Sequence, residues 1–390
     1  MPERSPNGET RVAIVHDWLV EPGGAELVLA EAFKVFPDAA LFTLIDRMPR
    51  AERDRLGLPK AHTSVLQSFP RVADYYRSLL PLMPAATRSL DLAGFGTVIS
   101  ISHAIAKNVR IAPNQRHLCI CLSPMRYAWD LREQYLVESG LDRGAQGVAA
   151  RWLLGRLRGW DARGSATVSQ FASISRYIAD RVFRAYGRES DILYPTVDTS
   201  YFSPGTVPRE EFYVTASRCV PYKRVDLIVR AFAGMPDRRL IVIGDGPDAA
   251  KVRAAAARNV LLLGRQPRDV VRDHLRRARA FVFAAEEDFG IAPVEAQACG
   301  TPVVAFGRGG AVETIRGLDD PQPTGVFFVE QEELAIRSAV ELLERKAHLI
   351  SATACRDNAL RFGVERFRRE LANLVDALHA RRSAPRRPPR

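Results

Sequence analysis

The chain has 390 residues, room for two domains, and an ordinary globular hydrophobic fraction of 47%. No apolar run approaches the ~20 residues of a transmembrane helix. The first ten residues, MPERSPNGET, lack a signal-peptide core, and the five cysteines form no CxxC pair. A cytoplasmic protein without a disulfide framework or zinc site is therefore expected. Net charge is +11, and residues 380–390, ARRSAPRRPPR, supply five arginines of that excess in a Pro-rich tail of disordered composition. No basic stripe laced with aromatics and no zinc-finger or helix-turn-helix spacing accompanies the charge, which argues against nucleic acid.

Short β-branched apolar runs alternate with amphipathic segments along the chain. RVAIVHDWL from Arg11, AALFTLI near Ala40, GTVISIS near Gly96 and HLCICLS near His117 read as a first series of strands. ATVSQFASIS near Ala166 leads into a helical segment, RYIADRVFRAY. A second series follows: EFYVTAS, RLIVIGDG, NVLLLG, AFVFAAE, TPVVAF and GVFFV. Continuous apolar strands separated by helices predict parallel sheets buried on both faces, and two series predict two doubly wound α/β domains. The boundary is expected at the small, polar stretch RGSATVSQF, giving domains over 1–168 and 169–363, a final helix over 364–379 able to cross back onto the first, and the tail 380–390.

Doubly wound sheets bind ligands beyond the carboxyl ends of their strands, so the segments after the strands carry the functional reading. After the first strand, Gly23 and Gly24 precede a helix, where backbone N–H groups can approach an anion. Gly244, Gly246 and Ala249 imitate a dinucleotide fingerprint. The fingerprint falls after the second strand of its domain, however, and the next strand ends in Arg265 rather than an acid for a ribose hydroxyl. An NAD-dependent dehydrogenase is thus a minor alternative. Arg218 and Lys223 flank a turn containing Pro221, two cations suited to a diphosphate.

The segment FVFAAEEDFGIAPVEAQACGTPVVAF carries Glu287 in a loop and Glu295, after seven intervening residues, inside the next helix. Phe289 and Gly290 make the turn, Pro293 suits the first helical turn, and Gly300 and Pro302 end the helix. N–H groups around Phe289, Gly290 and Ile291 can cradle a phosphate, with a carboxylate for hydroxyls on each side. Sugar, diphosphate and ribose in that order make a nucleotide sugar. Glu286 reads as a solvated loop acid. The DFG of Asp288–Gly290 imitates a kinase motif without the HRD loop that motif needs.

With these residues in view, nearly the whole chain resembles retaining GT-B glycosyltransferases of the large family 4. The resemblance rests on VEPGGAE, SRCVPYKRVDLIVRAF, VIGDGP, the Glu287–Glu295 element and GRGGAVETI. It implies two Rossmann-like domains facing a central cleft, a nucleotide-sugar donor (GDP-mannose or a UDP-sugar) and no cofactor or metal. By position it implies diphosphate contacts from Arg218, Lys223, Gly23 and Gly24, with Gly244 beside them. Glu287 would meet the donor-sugar hydroxyls and Glu295 the ribose. Backbone groups of Phe289, Gly290 and Ile291 would meet the phosphate or sugar, and Arg265 lies where such enzymes seat the base.

SISHAIAKNV and HLCICLSPMRYAWDLREQY look most like bacterial O-antigen and exopolysaccharide mannosyltransferases. Acceptor-side candidates are His103, Arg126, Tyr127 and Asp130. Leu122 departs from that pattern, because many members carry a His there; a catalytically weak scaffold is the alternative it motivates. The implied acceptor is a lipid-linked saccharide. Two basic-aromatic segments, SFPRVADYYRSLLPLMPAATRSL and RWLLGRLRGW, suggest peripheral contact with the inner face of the cytoplasmic membrane.

Overall fold

A computed structural model describes residues 11–380 apart from 21–22, 131 and 139; the basic tail beyond Ala380 lies outside the described residues. The chain divides into two compact units, Met1–Tyr194 with Phe367–Arg390, and Pro195–Arg366.

Among the described residues the first unit holds seven strands: β1 (Val12–His16), β2 (Ala40–Thr43), β3 (His62–Thr63), β4 (Thr97–Ser102), β5 (Arg116–Cys121), β6 (Gln170–Ser173) and β7 (Asp191–Ile192). The second holds six: β8 (Phe212–Ala216), β9 (Arg239–Ile243), β10 (Val260–Gly264), β11 (Ala280–Phe283), β12 (Val303–Phe306) and β13 (Gly325–Phe328). The orders are β3-β2-β1-β4-β5-β6-β7 and β10-β9-β8-β11-β12-β13. Every pairing is parallel. Both sheets therefore reverse direction beside their first strand, between β1 and β4 and between β8 and β11. Such a switch point leaves a crevice at the strands' carboxyl ends, because the flanking crossovers run away on opposite sides.

The apolar runs of the central strands are buried as the periodicity predicts; β4, β11 and β12 have no exposed residue. NVLLLG departs from that expectation. β10 is an edge strand, its residues are mostly half-buried and Leu261 is exposed.

The expected boundary at residues 164–172 is corrected. RGSA closes the helix Gly144–Ser165 and its turn, and Leu118–Cys121 pairs in register with Gln170–Ser173. Ladder bonds to β5, not small or polar composition, decide that β6 belongs to the first sheet. The chain leaves that unit at Tyr194. The following stretch is pinned inside the second unit, where the Arg356 guanidinium donates to the Thr199 and Phe202 carbonyls at 2.8 Å and to that of Ala298 at 3.0 Å. The last helix, Val364–Ala380, joins the first unit from Phe367 onward. There Arg368 donates to Glu31 at 2.7 Å, and His379 lies 2.9 Å from the Thr97 hydroxyl. Among the described residues, no helix is long and apolar enough to cross a membrane.

Candidate functional site

In the second unit the loop after β8 carries Ser217, Arg218 and Cys219, then a short 3₁₀ turn, Pro221–Lys223, and the helix Val225–Ala233. Backbone from the loop after β9 lies directly behind it. Ser217 N–H donates to Ile243 O (3.0 Å), Cys219 N–H to Asp245 O (2.9 Å) and Asp248 N–H to Cys219 O (3.0 Å). Gly244 and Gly246 permit this approach, since a Cβ on either would overlap the Ser217 or Cys219 carbonyl. Their φ values of +143° and +155° also suit glycine. The fingerprint-like glycines thus serve loop-on-loop packing, and Gly244 holds the shape of the turn bearing Arg218.

The loop after β11 is supported in the same way. Gly310 N–H donates to Glu287 O at 2.7 Å, and a Cβ on Gly309 or Gly310 would run into the Glu287–Phe289 backbone. Gly290, at φ +85°, turns the chain into the helix Ile291–Ala298. The Phe289 ring is buried edge-on against Phe362, 5.3 Å between centroids. GRGGAVETI is therefore the backing of the acidic loop.

On this frame the Glu287 carboxylate and the Lys223 ammonium form an ion pair, both side chains 17% exposed. Arg218 is exposed one turn earlier on the same loop. Glu295 stands apart from the pair, half-buried, with Arg268 and Asp198 as its electrostatic neighbours. Burial pushes its carboxyl up to about 7, against the opposing pull of Arg268. Arg265 is exposed just after β10.

In the first unit Gly23 is the extended residue before the helix Gly24–Val35. Its N–H is taken by Glu26 Oε2 at 2.7 Å, so it is not open to an anion as expected from sequence. The other Glu26 oxygen lies 3.3 Å from His16 Nε2, and His16 Nδ1 lies 3.1 Å from Ile101 O. Burial opposes both charges. The His16 contact nevertheless holds Glu26 below the usual carboxylate range, and Glu26 with Asp17 holds His16 above its ordinary value.

Asp17, wholly buried, accepts the N–H groups of His103 (2.6 Å), Ala104 (3.1 Å), Ile105 (2.6 Å) and Ala106 (2.6 Å). Its carboxylate also lies 3.0 Å from His103 Nδ1. Burial alone would raise its pKa; the imidazoles of His103 and His16 hold it well below the usual range instead. His103 packs edge-on against Trp18 and keeps 31% of its side chain exposed. Sequence reading missed His16, Asp17 and Glu26, although the acid three places after Gly23 is a capping-box spacing.

The remaining acceptor-side candidates sit on the segment after β5. Leu122 is buried, its N–H on Ser102 O at 2.8 Å. Arg126 is 3.4 Å from the Ser123 hydroxyl, and Tyr127 packs against the core. Asp130 accepts from Arg181 Nε at 2.6 Å, a structural pairing. Both loops hang on one buried acid. Asp161 pairs with Lys107 and accepts from Asn108 (2.9 Å), Trp129 Nε1 (2.9 Å) and the Tyr186 hydroxyl (2.7 Å).

Residues 198–361 match the family model for glycosyl transferases group 1. A D-inositol 3-phosphate glycosyltransferase of Mycobacterium sp. (strain JLS) is 34% identical over 148 residues, 32% of this chain and 34% of that protein. A GDP-mannose-dependent alpha-(1-6)-phosphatidylinositol monomannoside mannosyltransferase of Mycolicibacterium smegmatis is 32% identical over 172 residues, 36% of this chain and 45% of that protein. The chain thus spans less than half the length of these curated relatives. Among solved structures, Anabaena HepE in complex with UDP superposes with a TM-score of 0.68 at 17% identity, covering 94% of this chain and 100% of that one. Sucrose-phosphate synthase of Thermosynechococcus elongatus superposes at 0.69 and 16% identity, covering 95% and 100%.

Three expected outcomes test this frame. Gly244→Ala should lose about 1–3 kcal/mol of stability in denaturant titration, from strain and displacement of the Ser217 turn. Asp161→Asn strands the Lys107 charge and should cost about 3–5 kcal/mol in the same assay. The third concerns pH. Glu295 titrates near 7 when folded against an ordinary 4.5, so its stabilisation is complete below pH 4.5 and is lost as pH rises through about 7. Thermal unfolding of Glu295→Gln should lack that decline, becoming relatively more stable than wild type between pH 5 and 8.

Residues 198–361 match the glycosyl transferases group 1 model, and they stand in a chain whose two parallel-sheet, Rossmann-like units have the GT-B fold.

Proposed function

We propose that this chain is a retaining, metal-independent hexosyltransferase. It moves a sugar, mannose in the first instance, from a nucleoside-diphosphate donor to a lipid-linked or polysaccharide-precursor acceptor in bacterial surface polysaccharide synthesis. The observation that carries the reading is the Lys223–Glu287 pair, set on a glycine-backed turn at the sheet's switch point and followed by Glu295 inside the next helix. A donor would exchange that internal pairing for its own groups. The diphosphate takes Lys223 and Arg218, the sugar hydroxyls take Glu287, and the ribose diol takes Glu295.

In the transfer step the bond from the anomeric carbon to the leaving phosphate oxygen breaks. The acceptor oxygen forms its bond on the same face, and its proton passes to the leaving phosphate. Arg218, Lys223 and the N–H groups around Phe289, Gly290 and Ile291 stabilise the charge developing on the diphosphate. Among the described residues, no cluster of three His, Cys, Asp or Glu could hold a metal ion. His103, oriented by Asp17, is the acceptor-side group of the first unit. Gly24, Arg265, Arg126 and Tyr127 keep binding roles within the same reading. The site of action is the inner face of the cytoplasmic membrane.

The GDP-mannose dependence of the Mycolicibacterium relative supports GDP-mannose as the donor. The UDP and UDP-glucose in the HepE structures favour a UDP-sugar as the second reading. A thermal-shift series with GDP-mannose and UDP-glucose should show stabilisation by the first, lost in Arg218→Ala, and transfer should be abolished in Glu287→Ala. Stabilisation by the UDP-sugar alone overturns the GDP-mannose assignment. Transfer that survives Glu287→Ala overturns the role given to that carboxylate, whereas no response to any nucleotide sugar and no transfer by wild type overturn the enzyme reading in favour of a scaffold.

A further inference from the structure

Helix Gly144–Ser165 has 22 residues and buries one stripe: Leu154, Leu157, Asp161 and Ser165 recur at helical spacing on it. At ~3.6 residues per turn, Trp152 lies opposite that stripe. Trp152 is 63% exposed and Val148, one turn before it, 69%. An exposed Trp and Val on one helical face are not explained by the core, which this helix already serves through its other side. The same exposed face continues with Arg156, whose guanidinium stacks 5.0 Å over the Trp152 ring, and with Arg163. Among the described residues neither arginine forms an ion pair with an acid. The acids near the start of the helix are taken: Glu133 by Arg151 at 3.2 Å and Asp142 by Arg143 at 3.3 Å. The only acid within the helix, Asp161, is buried.

We infer that the Trp152 face of this helix is the surface on which the chain docks to an anionic lipid bilayer. The inference rests on the membrane location proposed above and assigns that contact to one element. Indole prefers the headgroup region, where its ring is half in apolar surroundings and its N–H stays wet. The stacked Arg156 and the neighbouring Arg163 face the phosphates, so the helix lies flat on the surface without crossing it. A second copy of the chain is a poor occupant, because two such faces would bring like charges together. The other basic-aromatic segment, residues 68–90, also exposes Phe69, Tyr75 and Leu82, but several of its polar groups are engaged within the segment. Arg71 pairs with Asp74 at 2.8 Å, the Tyr75 hydroxyl donates to Pro70 O, Arg77 donates to the Tyr76 hydroxyl, and Tyr76 and Leu80 are buried.

Flotation on vesicles tests the assignment with the full-length chain. Wild type should float with phosphatidylglycerol–phosphatidylethanolamine vesicles, stay down with pure phosphatidylcholine, and be released by about 0.5 M salt. The triple variant Trp152→Ser, Arg156→Gln, Arg163→Gln should partition about tenfold or more weakly while keeping its thermal transition. Trp152→Ser alone, expected to lower flotation measurably, serves if the triple variant unfolds. Replacing the tail arginines 381, 382, 386, 387 and 390 by Gln should leave most of the binding intact. Flotation absent in wild type, unchanged in the helix variants or abolished by the tail variant overturns the inference. So does retention on an acidic polypeptide without any on vesicles, which points to a protein partner. Flotation needs neither donor nor acceptor, so its failure leaves the transfer reaction standing, and a loss of transfer with flotation intact speaks only against the transferase reading.

Discussion

Backbone packed directly on backbone holds the loops at the carboxyl ends of the second sheet. The Gly309–Gly310 turn lies against the Glu287 peptide, and the Gly244–Gly246 turn lies against Ser217 and Cys219. No side chain fits between these pairs of turns. The support is therefore stiff, because it consists of peptide planes and short hydrogen bonds instead of rotatable side chains. Lys223 and Glu287 meet because the two turns that carry them are each fixed from behind.

The first unit solves a similar problem by a different route. Its two loops are gathered by buried carboxylates. Asp17 collects four consecutive N–H groups of the His103–Ala106 segment, and Asp161 collects donors from Lys107, Asn108, Trp129 and Tyr186. A buried carboxylate is costly unless its oxygens are fully bonded. Here each has enough donors to satisfy them, and in return each specifies where several distant segments must lie. His16 and Glu26 add a third such pairing at the start of the first helix. The resulting polar network lies at the end of β1 and β4, the switch point of that sheet.

The electrostatics of the donor-side candidates divide accordingly. Lys223 and Glu287 neutralise each other on a half-buried turn, whereas Glu295 has burial as its main influence and takes a proton more readily. Two acids eight positions apart in sequence thus lie in different surroundings, one beside an ammonium and the other with burial pushing its carboxyl up to about 7. That difference follows from which neighbours the fold supplies.

The sequence by itself determined the architecture. Apolar β-branched runs bounded by glycine and proline can be buried only as parallel strands with helices on both faces, and both series are strands in the structure. It also pointed to Arg218, Lys223, Glu287 and Glu295, because doubly wound sheets bind ligands beyond the carboxyl ends of their strands, where these residues fall. Tertiary structure decided what depends on distant partners. The end of the first unit was misplaced because strand pairing of Gln170–Ser173 with β5 outweighs local composition. The purpose of Gly244 was hidden because its neighbour, Ser217, lies 27 positions away in sequence and touches it only through backbone. Asp17 and Asp161 were invisible for the same reason: a buried acid reveals its role only through the donors that the fold brings to it.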